Sequence, residues 1–136
     1  MNARLVPELI CSNLEVSLKF YCDLLGFEIL YDRPEERFAF LGLNGAELML
    51  EQPASHERLW PKAELSYPYG RGINLEIGVE NATLLHKRVM TAGLPIFLAL
   101  EEKTYQRRTD TVHVRQFAVQ DPDGYLIRLS QVLAVI

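Results

Sequence analysis

Two stretches of this chain nearly repeat each other: residues 44–52 read NGAELMLEQ, and residues 123–131 read DGYLIRLSQ. A second matching pair lies upstream, VPELI at 6–10 and NLEIG at 74–78. Asn13 and Asn81 follow at the same spacing of 68 residues (6 to 74, 13 to 81). Such a duplication predicts two copies of one structural module related by a pseudo-two-fold axis. The axis would place equivalent strands around one shared cavity, so the function is to be sought in the residues that line it.

The bulk properties predict one ordinary cytoplasmic domain. The chain has 136 residues and a formal charge of −4, and no apolar stretch is long enough to span a bilayer. The N-terminus lacks the basic and apolar regions of a signal peptide, and an acidic surface disfavours nucleic acid as a partner. Cys11 and Cys22 are expected to be reduced thiols, as is usual in the cytosol.

The first half is expected to fold as β-α-β-β-β. Apolar periodicity places a helix between residue 14 and Gly26, and Ser12 with Glu15 reads as a capping box at its start. Asn44-Gly45 is a strong hairpin signal. The predicted strands cover residues 5–11, 27–31, 37–43 and 46–51.

The second half repeats this order, with Asn81 capping a helix that ends at Gly93. The predicted strands cover residues 72–79, 95–101, 111–119 and 125–133, and a DPDG turn at 121–124 precedes the last of them. Residues 53–71 join the halves and are rich in proline and aromatic residues. This link is either a lid over a binding site or a rigid surface connection.

The duplication, the segment FYCDLLGF at 20–27 and the turn DPDGY at 121–125 resemble the glyoxalase / bleomycin-resistance / extradiol-dioxygenase superfamily, also called vicinal oxygen chelate proteins. The resemblance covers nearly the whole chain and is nearest to the bleomycin-resistance branch. It implies an α+β fold in which two tandem βαβββ modules form a curved mixed sheet around a cavity. The single domain, 1–136, would comprise module 1 (about 1–52), the link (53–71) and module 2 (about 72–136).

The resemblance also implies partners and an activity. Members of this type are homodimers, often with exchanged modules or strands, whose ligand grooves are lined by both chains. Resistance proteins of the branch capture a cationic glycopeptide antibiotic stoichiometrically and catalyse nothing. A small-molecule ligand, such as a bleomycin-like antibiotic, is therefore expected, with no nucleic acid and no membrane as partner.

Enzymatic members of the superfamily hold a divalent metal through the first and last strands of both modules. Carried over to this chain, the resemblance implies that these positions hold Val6, Met49, Asn74 and Arg128. Valine cannot bind a metal, methionine is a poor ligand for a hard cation, and arginine repels one. The histidines, His56, His86 and His113, form no ligand pair in the sequence. We therefore expect neither a metal nor another cofactor, and the sequence argues against an enzyme.

Alternation along the strands places further polar groups beside these positions. Glu8 would share a face with Val6, Glu76 with Asn74, and Glu47 and Glu51 with Met49. The predicted ligand-binding residues are Glu8, Phe38, Glu51, Trp60, Asn74, Glu76 and Arg128.

Competing interpretations apply to several of these residues. Arg128 is also expected to be a structural cation neutralised by Glu8 or Glu76, since buried charges are usually paired. Phe38 and Phe40 share a face, and core packing is their default role. Trp60, in the link, has the best claim among the aromatic residues to contact a ligand.

Three functional hypotheses follow. The first is metal-free capture of a cationic or amphipathic small molecule in a dimer groove. The second is a metal-dependent lyase or dioxygenase of the same superfamily with an atypical ligand set. The third is a member of the fold whose groove has lost its ligand.

Overall fold

The computed structural model describes residues 2–55, 59–61 and 64–136, and these residues form two compact units. The first unit comprises Met1–Tyr69 with Pro122–Gly124, and the second comprises Gly70–Asp121 with Tyr125–Ile136. In the first unit the elements are β1 (Glu8–Ile10), α1 (Leu14–Leu18) continued by a π-helical segment (Lys19–Leu24), β2 (Glu28–Arg33), a 3₁₀ turn (Pro34–Glu36), β3 (Phe38–Leu43) and β4 (Ala46–Glu51). In the second they are β5 (Asn74–Gly78), α2 (Ala82–Thr91), β6 (Ile96–Gln106), β7 (Thr111–Gln120) and β8 (Leu126–Val135).

Each unit contains a four-stranded mixed sheet, and the two sheets have the same topology. The strand orders are β1-β4-β3-β2 and β5-β8-β7-β6. In both, the first strand pairs in parallel with the last strand, and the other pairs are antiparallel. The predicted α+β fold of two βαβββ modules is thereby confirmed.

The two helices begin in the same way. The Asn13 side chain accepts a hydrogen bond from the Val16 amide, and the Asn81 side chain accepts one from the Leu84 amide. In each unit a glutamine side chain accepts a hydrogen bond from another amide at the helix start. Gln52, which follows β4, accepts from the Leu14 amide, and Gln131, in β8, accepts from the Ala82 amide. These bonds satisfy amide groups that a helix start leaves without intrahelical partners.

The predicted capping box at Ser12 is wrong, because the Ser12 side chain bonds elsewhere. Its hydroxyl donates to Asp123 at 2.5 Å, and its backbone amide donates to the same carboxylate at 3.0 Å. Asp123 is buried and belongs to the first unit. Asn13 therefore takes the capping position.

Several predicted strand boundaries differ from the observed ones. β1 starts only at Glu8, following Pro7, which has no amide hydrogen but accepts a bond from Met49 at 2.9 Å. β2 runs two residues beyond the predicted end at residue 31, and β6 continues from the predicted end at 101 to Gln106. The segment 102–106 has exposed or half-buried side chains, so no buried face marks it as a strand in the sequence.

Alternate residues of each sheet face a helix and form the core of that unit. In the first unit the fully buried residues Leu41, Leu50, Tyr21 and Leu25 lie on this side. In the second, Phe117, Val119, Ile127, Leu129 and Val89 do so, and the His86 ring contacts Phe117 edge-on at 5.2 Å. His86 is thus half-buried.

Among the described residues, no helix has both the length and the apolar composition needed to cross a membrane.

Gly124 shows how tightly the DPDG turn is packed. Its φ is +95°, and a Cβ built there would lie 2.5 Å from the Cα of Pro68. Gly26 has a similar φ of +91° with nothing within 4 Å of such a Cβ. We expect Gly26→Ala to cost about 1 kcal/mol from backbone strain alone, and Gly124→Ala to cost about 1–3 kcal/mol more. Urea unfolding of both variants measures the difference, and equal losses would contradict the packing around Gly124.

Candidate functional site

The candidate site is the face of the first sheet that points away from α1. Strand register places side chains on this face in two rows across all four strands. One row consists of Glu8, Met49, Phe40 and Tyr31; the other consists of Ile10, Glu51, Phe38 and Arg33. We call these eight residues the open face. Glu8 and Glu51 are diagonal neighbours on it, because Glu8 lies opposite Met49 and Ile10 lies opposite Glu51.

Aromatic rings form the floor of the open face. The Tyr31 ring stacks on Phe40 with the centroids 4.9 Å apart and an interplanar angle of 14°, and it lies 6.0 Å from Phe38. Phe38 and Phe40 are buried, whereas Tyr31 is 38% exposed. The prediction that Phe38 and Phe40 share a face is confirmed, and Tyr31 completes the cluster.

A guanidinium group covers part of this floor. The Arg33 Cζ lies 4.0 Å from the centroid of Phe38 and 5.8 Å from that of Tyr31, within the range of cation–π attraction. Its Nε donates to the Glu36 carboxylate at 2.6 Å. The side chains of this ion pair are exposed to solvent.

The electrostatics of the open face are set by two carboxylates. Partial burial raises the pKa of Glu8, the negative charge of Glu51 raises it further, and Arg33 opposes both effects. Each of these effects follows from the row arrangement, since Glu51 is a diagonal neighbour and Arg33 ends the adjacent row. The pair therefore carries more negative charge than the surrounding cation neutralises.

Glu47 lies on the same strand as Met49 and Glu51 but has a structural role. Its carboxylate accepts a hydrogen bond from the Ala3 amide, and this bond is the main cause of its lowered pKa. Glu47 is buried at the other end of β4. It contributes to the anchoring of the N-terminal segment and not to the exposed part of the open face.

In the second unit, the equivalent row contains Glu76 opposite Arg128. The Arg128 guanidinium lies 3.3 Å from the Glu76 carboxylate, so the predicted pairing of Arg128 with a carboxylate is confirmed for Glu76. Asn74 lies two residues before Glu76, on the same face of β5, and is exposed. The Nε of Arg128 is buried with no hydrogen-bond partner among the described residues.

Trp60 is 86% exposed, and a ligand role for it stays a prediction. His56 lies outside the described residues, as do other parts of the link, so the choice between a lid and a rigid connection is unchanged. The remaining histidine, His113, lies on β7, where its Nε2 is 3.2 Å from Glu102.

The family assignment follows from comparison with known proteins. The family model described as "Glyoxalase/Bleomycin resistance protein/Dioxygenase superfamily" matches residues 4–129, nearly the whole chain. The chain belongs to this superfamily. A search of curated proteins finds no match.

Several solved structures are similar to this chain. A superfamily member from Vibrio splendidus 12B01 is 40% identical over 93% of this chain and 95% of its own, with a TM-score of 0.43. A protein of unknown function from Agrobacterium tumefaciens str. C58 is 22% identical over 98% and 97% of the two chains, with a TM-score of 0.73. A lactoylglutathione lyase from Agrobacterium tumefaciens is 16% identical over 96% and 94%, with a TM-score of 0.62. The last two comparisons support the fold alone.

A divalent metal of the kind held by enzymatic superfamily members does not fit the residues at the inherited positions. In the first unit these positions hold Val6 and Met49, which offer no hard donor. In the second they hold Asn74 and Arg128, and the guanidinium is already paired with Glu76. Within residues 2–55, 59–61 and 64–136, no three His, Cys, Asp or Glu side chains cluster as metal ligands.

Sequence reasoning placed Glu8, Glu51 and Phe38 among the ligand-binding residues, and the structure brings these three onto one face. It missed Tyr31 and Arg33. The predicted β2 ended at residue 31, and a β-bulge between Ile29 and Tyr31 changes which residues face which side. Tyr31 and Arg33 alternate with Asp32 in the sequence, but the face on which they lie is set by the bulge and by the pairing with β3, so no signal in the sequence of β2 identifies them.

The coupling of the two carboxylates can be measured. We expect Glu51→Gln to lower the pKa of Glu8, because it removes a neighbouring negative charge while keeping the size of the side chain. Carboxyl ¹³C chemical shifts followed against pH report this pKa. Glu15→Gln, on the exposed first turn of α1, is the matched control and should leave it unchanged. An unaltered Glu8 pKa in Glu51→Gln would show that the carboxylates do not interact.

Proposed function

We propose that this chain is a metal-free small-molecule binding protein of the bleomycin-resistance type, which captures a cationic or amphipathic ligand such as a glycopeptide antibiotic. The observation that carries the proposal is the open face itself. On it, the neighbouring carboxylates Glu8 and Glu51 border a floor of aromatic rings. Carboxylates and aromatic faces are the two groups that proteins use to bind organic cations.

The expected energies of the carboxylate and ring contacts are large enough to affect the dissociation constant of a ligand. A hydrogen bond to a charged group contributes about 1.5–3 kcal/mol, and a cation over an aromatic ring contributes about 0.5–2 kcal/mol. One carboxylate contact and one ring contact together, about 2–5 kcal/mol, would thus change a dissociation constant by about thirtyfold to several thousandfold. Apolar contacts with Ile10 and Met49, which are half-buried on the same face, would favour an amphipathic ligand over a small inorganic cation.

The proposal includes the remaining predicted contacts. Trp60, Asn74, Glu76 and Arg128 are proposed as further ligand-binding residues, with Arg128 as an organiser because Glu76 already neutralises it. A homodimer with grooves lined by both chains, implied by the resemblance, and a cytoplasmic location are also parts of the proposal.

Titration with bleomycin tests this function. We expect saturable binding by isothermal calorimetry, and a loss of affinity of about tenfold or more in the double variant Glu8→Gln/Glu51→Gln, since charge-assisted contacts are removed. Glu15→Gln removes the same type of charge from the opposite side of the sheet and should bind like the wild type. Equal affinity of the double variant and the control would mean that the carboxylates do not contact the ligand.

The same titration has a predicted pH dependence. Because the pKa of Glu8 is raised, this carboxylate becomes neutral at a higher pH than an ordinary glutamate. Binding should therefore weaken as the pH falls through that raised value, and Glu8→Gln should lose this step. A pH profile that is identical in the wild type and Glu8→Gln would contradict a role for the Glu8 charge.

Metal analysis separates this function from the alternative, a metal-dependent lyase or dioxygenase with an atypical ligand set. We expect dialysed protein to retain no stoichiometric divalent metal by plasma mass spectrometry, because the inherited positions offer too few hard donors. Ligand binding should be the same with and without a chelator. One tightly held ion per chain, with turnover that disappears on chelation, would establish the alternative.

A further inference from the structure

We infer that the charged group of the ligand is a planar, delocalised cation, such as a guanidinium or amidinium, that takes the place of the Arg33 guanidinium on Phe38. This inference rests on the proposed function and specifies its ligand class. It identifies Arg33 as the residue that determines which cations the open face accepts.

Arg33 occupies the position that a bound cation would need. Its guanidinium lies 4.0 Å from the Phe38 centroid, and Phe38 is the direct cross-strand neighbour of Glu51. Phe38 is 3% exposed, so the ring is covered while the arginine is in place. A ligand cation can reach both the ring and the carboxylates only after the Arg33 side chain has moved.

The ion pair that holds the Arg33 side chain allows such a movement. Its ion pair with Glu36 is formed by side chains that are 44% and 58% exposed, and exposed pairs of this kind contribute little to stability. Both residues lie at the sheet edge, at the end of β2 and in the turn Pro34–Glu36. The arginine can therefore turn towards solvent with Glu36 as its partner, without disturbing the sheet.

The stacking of Arg33 also indicates the shape of its replacement. A guanidinium is flat and weakly hydrated, so it can lie on a ring while its edge donates hydrogen bonds to carboxylates. A compact ammonium is strongly hydrated and loses more solvation when it displaces the arginine. The space above Phe38 is thus shaped by a planar group. Glu51 lies directly across from Phe38 on the adjoining strand β4 and can receive hydrogen bonds from this group, and Glu8 lies one strand further, on β1.

Benzamidine and benzylamine form a matched pair of probes, since they carry the same ring and the same charge on a planar and a compact group. NMR titration, followed through the ring signals of Tyr31, gives both dissociation constants. We expect benzamidine to bind about threefold to tenfold more tightly than benzylamine. Equal affinities, or tighter binding of benzylamine, would overturn the inference.

The variant Arg33→Lys tests displacement without changing the net charge. We expect it to bind benzamidine more tightly than the wild type, because a lysine covers the Phe38 ring less well. Arg33→Ala should bind it more tightly still. Lys19→Ala, on the exposed side of the helix, removes one positive charge away from the open face and should change nothing. Unchanged or weaker binding in Arg33→Lys would show that the arginine does not compete with the ligand.

The two proposals fail in different ways. If neither bleomycin nor either probe binds the wild type or any Arg33 variant, the proposed function itself is wrong. If bleomycin binds through Glu8 and Glu51 but benzamidine has no preference and Arg33→Lys no effect, capture of a cation stands and only the inference about Arg33 is lost.

Discussion

The parallel pairing of the first strand with the last strand of each module is the constraint on which the rest of the structure depends. In the first unit it sets Glu8 opposite Met49 and Ile10 opposite Glu51, and in the second it sets Glu76 opposite Arg128. A shift of one residue would turn every side chain of a strand to the other face. The buried helix-facing residues prevent such a shift, so the hydrophobic core fixes the position of the charged groups on the opposite face.

The same register has different consequences in the two modules. In the second, the partner of the glutamate is Arg128, and the pair is neutralised within its own sheet. In the first, the partner is Met49, which leaves Glu8 beside a second carboxylate, with the edge residue Arg33 as the cation that offsets their charge. The same strand topology thus carries an ion pair in the second module and two neighbouring carboxylates in the first. The difference depends on two exchanges at equivalent positions: Met49 corresponds to Arg128, and Glu51 corresponds to Ser130.

Local signals in the sequence predicted most of the fold. The Asn44-Gly45 hairpin and the Asn81 cap depend on neighbouring residues, and both are present in the structure, as is the repeated βαβββ order. The predictions that were wrong concern distant contacts. Ser12 satisfied a local capping pattern but bonds Asp123, which lies 111 residues away. The bulge in β2 and the unmarked end of β6 are decided by their partner strands, so their own sequences could not reveal them.

The candidate site, like the fold, was predicted where it depends on local signals and missed where it depends on distant contacts. The alternation of side chains within single strands identified Glu8 and Glu51. The contact of Arg33 with Phe38 depends on the register between β2 and β3, which the sequence does not state. The positive charge of Arg33 opposes the repulsion between Glu8 and Glu51, and its guanidinium lies over the Phe38 ring. A group that relieves the same repulsion at closer range, and covers the same ring, has the physical properties required to replace it.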